Sequence, residues 1–156
     1  MVLPEDAVTI GATVKADRPQ PGVALFVRIK DSNERYFSYF LGRLDANGWS
    51  EPEASLRRSS ASRPFPVLQP QPPLTLVAMT VHETDARSRL RAGSVAFDGI
   101  FVRMPNGSVR VVEPFDSVSD WSVLEVAPQS GADAFQPSGD GPDGHAHVGT
   151  VAQGHD

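Results

Sequence analysis

The chain of 156 residues has no cysteine, so it holds neither a disulfide framework nor a thiolate metal site, and it offers no cysteine nucleophile. Long apolar runs are missing too. No window approaches the roughly 20 apolar residues of a membrane span, and Met1-Val2-Leu3-Pro4-Glu5-Asp6 lacks the basic flank and apolar run of a secretory leader. As given, the chain reads as soluble. Basic residues are sparse: 14 Lys and Arg stand against 19 Asp and Glu, a net charge of −5. Asp133, Asp140, Asp143 and Asp156 fall in residues 128–156, where there is no Lys or Arg, leaving a near-neutral body of 14 basic and 15 acidic residues over 1–127. Such a body offers no basic stripe for phosphates, which argues against a nucleic-acid partner. A sustained helical period is also missing, as are Gly-x-Ser-x-Gly, a phosphate-binding loop and His-Glu-x-x-His. His82 is the single histidine of residues 1–127, so a serine nucleophile has one available base and no motif around it. The chain is read as non-enzymatic.

What the sequence does hold is alternation. Val8, Ile10, Ala12 and Val14 oppose Thr9, Thr13 and Lys15, the pattern of a half-buried strand over 7–15. Asp17 to Gly22 breaks that run with two prolines and a glycine, and Val23, Leu25, Val27 and Ile29 resume it on one face up to Lys30. Asp31-Ser32-Asn33 is a turn, and Arg35 to Leu41 is an aromatic return strand, predicted to be buried on both sides or to form an aromatic surface. Asn47-Gly48 is the best local turn signal, after which Trp49 is predicted to open a strand and fill the core. Leu56 to Pro73 carries Arg57, Arg58, Arg63 and five prolines and reads as an extended loop. A central strand is predicted over 74–82, and a polar connection with Arg87, Arg89 and Arg91 follows it. The densest β-forming run, Gly93 to Arg103, is a buried strand, and Ser108 to Glu113 pairs back onto it across Pro105-Asn106-Gly107. Trp121 is a second predicted core anchor. Residues 128–156 are poor in groups that repay ordering and read as a linker or disordered tail behind a single domain over 1–127. The class is all-β, and short strands separated by Gly, Pro and Asn turns predict a sandwich.

Several side chains are candidates for chemistry. Asp98 interrupts an apolar strand and must be hydrogen-bonded, reach an edge or bind a cation. Tyr36, Tyr39, Trp49 and Trp121 are candidates for a sugar-stacking platform, with Arg28, Arg35 and Asn33 at its edges, although core filling is the ordinary role of such rings. Tyr36 and Tyr39, three residues apart in a strand, do not share a face. His145, His147 and His155 offer imidazoles in a stretch without supporting neighbours, where metal binding would be weak. The arginines of the two polar stretches read as solvated surface.

Asp31-x-Asn33 before an aromatic strand, Leu41-Gly42-x-Leu44 followed by Gly48-Trp49, Pro73-Leu74-x-Leu76 after a Pro-rich stretch, and Gly93-Ser94-Val95-x-Phe97-Asp98-Gly99-Ile100 together resemble galactose-binding-like jelly-roll domains, a fold common among carbohydrate-binding modules. More narrowly, Leu3 to Trp121 is similar to the extracytoplasmic domain inserted in some bacterial FtsX-like ABC transporter permeases. The resemblance implies a non-catalytic fragment of a larger membrane protein, lying on the extracytoplasmic face, with a protein partner or neighbouring domain to contact. Residues 139–156, with Gly144-His145-Ala146-His147, depart from that pattern. The carbohydrate-binding reading implies a sugar site at Arg28, Tyr36 and Tyr39. In jelly-roll modules a carboxylate near the Asp98 strand can help hold a structural calcium, which here would take Asp98 with Asp6 or Glu5; no other cofactor is implied.

Overall fold

The structure, a computed structural model, describes residues 1–56, 69–83, 93–116, 133–138 and 146–151. Among them there is no helix. The strands are β1 (Thr9–Ala16), β2 (Gln20–Lys30), β3 (Tyr36–Leu44), β4 (Glu53–Ser55), β5 (Thr75–Glu83), β6 (Gly93–Arg103), β7 (Val109–Glu113), β8 (Asp133–Ser138) and β9 (Ala146–Val151). They form two antiparallel sheets. One has the order β3-β2-β5, the other β4-β1-β6-β9-β8, with β7 also paired to β6. The inward side chains of both sheets close over one apolar core, so the chain is an all-β sandwich.

The alternation in the sequence explains which faces meet. Ile10, Ala12 and Val14 from β1 face Leu25, Val27 and Ile29 from β2, and all are buried. Strand β6 changes phase along its length: Val95 and Phe97 face the core in its first half, Ile100 and Val102 in its second. The change falls at a bulge where Thr13 pairs with Gly99 and Val14 with Phe97, so that Asp98 is the extra residue. A run that looks apolar on both faces is thus two half-strands of opposite phase. The chain before β1 joins the two sheets. Val2 bridges Thr75 at the edge of β5, Leu3 plugs the core, and the amide of Val8 donates to the carbonyl of Arg103 on β6.

Trp49 departs from expectation. Gly48 turns with φ +96°, Ser50 bridges Val14, and the indole lies half-buried with the Lys15 ammonium 5.9 Å from its centroid. Lys15 projects from the outward side of β1, so the indole covers the outside of the sheet rather than its core. Tyr39, Phe97 and Phe115 take the interior, with the rings of Phe97 and Phe115 6.2 Å apart. Phe115 reaches that place by adopting φ +56°, its amide donating to Glu113 Oε1 at 2.8 Å. Trp121, His145, His155 and the arginines at 57, 58, 63, 87, 89 and 91 lie outside the described residues. Within the stretch read as a tail, 133–138 and 146–151 run as paired strands, β9 lying along the first half of β6.

The turn between β2 and β3 is held by Asp31, 2% exposed. Its Oδ1 accepts the amides of Asn33 and Arg35 at 2.9 and 3.0 Å. Its Oδ2 accepts Nε and Nη2 of Arg35 at 3.0 and 2.6 Å and the amide of Gln71 at 3.2 Å. One carboxylate therefore ties the hairpin to the chain entering β5. The Arg35 guanidinium, helped by the three amides, holds its pKa down to about 2. Because the folded value lies below the unfolded value of about 3.9, the stabilisation is complete above that unfolded value and is lost as pH falls through about 2. Asp31→Asn removes the charge and presents an amide to Arg35. In thermal melts recorded from neutral pH down to about pH 2, the variant is expected to melt lower at neutral pH and to show a shallower decline across the acid range; parallel curves would contradict the clamp.

Candidate functional site

The outward face of the three-stranded sheet carries side chains that a solvated sheet ordinarily lacks. On β2, Phe26, Arg28 and Lys30 alternate with the buried Leu25, Val27 and Ile29. On β3, Tyr36, Ser38 and Phe40 alternate with the buried Phe37, Tyr39 and Leu41. Register then aligns them: Phe26 lies opposite Phe40 on one side and Thr80 on the other, and Ala24 lies opposite His82. The result is a row across all three strands. The rings of Phe40 and Phe26 meet edge to face at 5.5 Å and 65°, and those of Phe26 and His82 at 5.4 Å and 82°. His82 Nε2 lies 3.0 Å from Thr80 Oγ1. Phe40 remains 40% exposed and Tyr36 53%.

Cations flank this row. The Arg28 guanidinium stacks over the Tyr36 ring at 4.7 Å. Lys30 pairs with Glu34 at 3.0 Å in the turn, and Arg43 Nη1 donates to the carbonyl of Pro21 at 2.6 Å. The face is aromatic and basic within a chain that is acidic as a whole.

Of the residues singled out from the sequence, Arg28 and Tyr36 come together here. Tyr39 does not: it is 1% exposed between the sheets, its hydroxyl donating to the carbonyl of Leu56 at 3.1 Å. Arg35 is engaged by Asp31, and the amide of Asn33 belongs to the same turn. Asp98 sits in the β6 bulge, 7% exposed. Asp6 is exposed on the turn that leads to Val8, which bonds Arg103, five residues along β6 from Asp98. At about 3.3 Å per residue that is roughly 16 Å, far beyond the reach of a shared ion. Among the described residues no group of three or more His, Asp or Glu side chains converges as a metal site. A hollow of about 270 Å³ lies elsewhere, between Met1–Pro4 and Arg110–Val112 of β7.

Phe26, Phe40 and His82 form the core of the site and were not singled out as a group from the sequence. A trace was present, since Phe26 occupies a polar position in the alternation of β2. Chemically, the row can bury apolar area and accept cation or edge contacts. His82 and Thr80 stand on an open sheet face, where water competes for any proton transfer.

The fold and site therefore define an all-β sandwich with one aromatic and basic sheet face. Comparison with protein families, curated proteins and solved structures finds no match. Among the described residues no helix is long and apolar enough to cross a membrane.

Proposed function

We propose that this chain is a non-catalytic interaction domain that contacts a protein partner or a neighbouring domain through the outward face of β3-β2-β5. The sequence resemblance to the extracytoplasmic domain of FtsX-like ABC transporter permeases supports a place in such a transporter. The observation that supports the docking role is the ring row Phe40-Phe26-His82, turned to solvent and packed edge to face. A sugar platform asks for flat, accessible ring faces. Here the rings stand at 65° and 82° to one another, one face of Tyr36 lies under Arg28, and Tyr39 is in the core. These geometries favour a protein surface over the carbohydrate-binding alternative.

Two measurements test the reading. A glycan array probed with the chain is expected to give no saturable binding; saturable binding lost in Tyr36→Ala would move the assignment to a carbohydrate-binding module. Sequencing of the gene on both sides of the coding segment is expected to reveal membrane-spanning segments in the same reading frame. A frame closed on both sides, beside genes for polysaccharide-degrading enzymes, would overturn the transporter context.

A further inference from the structure

We infer that the partner of this face is an extended acidic segment bearing aromatic or aliphatic side chains; the inference rests on the docking role proposed above. Charge carries it first. The outward positions of β2 and β3 hold Arg28, Lys30 and Arg43, and no Asp or Glu projects from the described outward positions of the three strands. Glu34, in the turn between β2 and β3, pairs with Lys30. A cationic face on a molecule of net charge −5 is a local excess that acidic partners feel selectively, because screening confines the field to about 8–10 Å.

Size carries it second. Beyond the isolated Gln20–Leu44 pair, β3 lies along β2 for the eight residues Tyr36 to Arg43. Three strands spaced by about 4.8 Å, with a rise of about 3.4 Å per residue, give a face of roughly 27 by 14 Å, or about 400 Å². That is near half of the roughly 800 Å² each partner contributes to an ordinary protein interface. It matches a single extended stretch of about seven or eight residues laid along the strands. The row Phe40-Phe26-His82 crosses that direction and offers the segment an apolar surface to cover. Arg28 and Arg43, one beyond each side of the row along β2 and β3, are placed to meet carboxylates.

The test is a random heptapeptide library panned on the full chain, followed by titration of the recovered peptides. Recovered peptides are expected to be net acidic with at least one aromatic or aliphatic residue. Their affinity is expected to fall at least tenfold in Arg28→Glu/Arg43→Glu, to fall with added salt, to survive Arg28→Lys, and to be unchanged in Arg110→Glu on the opposite sheet. Melting temperatures of the variants separate lost binding from lost folding. Peptides that depend on Phe26 and Phe40, tested as Phe26→Ser/Phe40→Ser, yet show no acidic bias would overturn the partner class and leave the docking role standing. No peptide sensitive to either pair of substitutions would remove both. Binding to phosphatidylglycerol vesicles but not to phosphatidylcholine vesicles, abolished by Arg28→Glu/Arg43→Glu, would reassign the face to an anionic lipid surface and overturn the peptide inference.

Discussion

Tyr39→Ala is expected to lower the free energy of unfolding by about 3–5 kcal/mol, the range for removing a large buried ring. The ring is 1% exposed, with Leu25, Val27, Leu41 and Leu56 in the same core cluster, and its loss would leave a cavity the two sheets cannot collapse to fill. Its hydroxyl donates to the carbonyl of Leu56, the last described residue before Gln69. Tyr39→Phe keeps the ring and loses that bond, which is expected to cost about 1 kcal/mol. Burial, with a smaller effect from the charge of Asp31, pushes the phenol up to about 12, so Tyr39 is neutral across the physiological range. Because the raised value favours the protonated form, its stabilisation is present below the unfolded value of about 10 and is lost as pH rises through about 12. Denaturant unfolding of the three proteins measures the effect. An alanine variant within about 1 kcal/mol of the phenylalanine variant would show that the ring does not anchor the core. The contrast with Tyr36 is informative: Tyr36→Ala removes an exposed ring and one cation–π contact, so its expected cost is about 1 kcal/mol or less.

That contrast also shows how far the sequence could be read. Side chains three apart in a strand face opposite ways, so the separation of Tyr36 from Tyr39 follows from period alone. Strands β1, β2 and β6 were legible for the same reason, each with an uninterrupted alternating or apolar run between turn residues. What period cannot supply is register. Phe26, Phe40 and His82 meet only because β2 pairs with both neighbours in one alignment, with bulges at Leu25/Phe26 and Arg28/Ile29 that no local pattern announces. Asp31 was legible as a turn residue, but its hold on Gln71 spans forty positions and is a product of tertiary structure. Trp49 and Phe115 exchange the roles that size alone suggests. The indole follows a positive-φ glycine onto the outside of a sheet, whereas Phe115 takes a positive φ itself and turns its ring inward. The distance between Asp6 and Asp98 likewise depends on which end of β6 the first residues join. The aromatic and basic face is therefore a property of strand pairing, written in the sequence only as residues out of step with their neighbours.

The outward face of the other sheet supplies a second large expected effect, and propensity and packing predict it with opposite signs. Gly11 lies within β1, where a β-branched residue is ordinarily the better strand former and a glycine costs backbone entropy. On propensity, Gly11→Val would stabilise the protein. Packing says otherwise. A Cβ at this position would stand 2.4 and 2.7 Å from Cζ and Cε2 of Phe101 and 2.9 Å from the carbonyl oxygen of Pro52. Phe101 is the cross-strand partner of Gly11, 5% exposed, so its ring occupies the space the absent side chain leaves. The Pro52 carbonyl is no freer to retreat, because it accepts the amide of Ala12 at 3.2 Å. Steric cost should prevail, and Gly11→Val is expected to lose about 3 kcal/mol or to fail to accumulate as folded protein. Gly11→Ala, which adds only the Cβ, keeps the test measurable if valine is too disruptive. In a double-mutant cycle with Phe101→Leu, the paired variant should recover at least about 1 kcal/mol relative to the sum of the single losses, because the shorter side chain vacates part of the contested space. Strictly additive losses, or a gain in stability from Gly11→Ala alone, would mean that the ring and the glycine do not depend on each other and that propensity governs this strand after all.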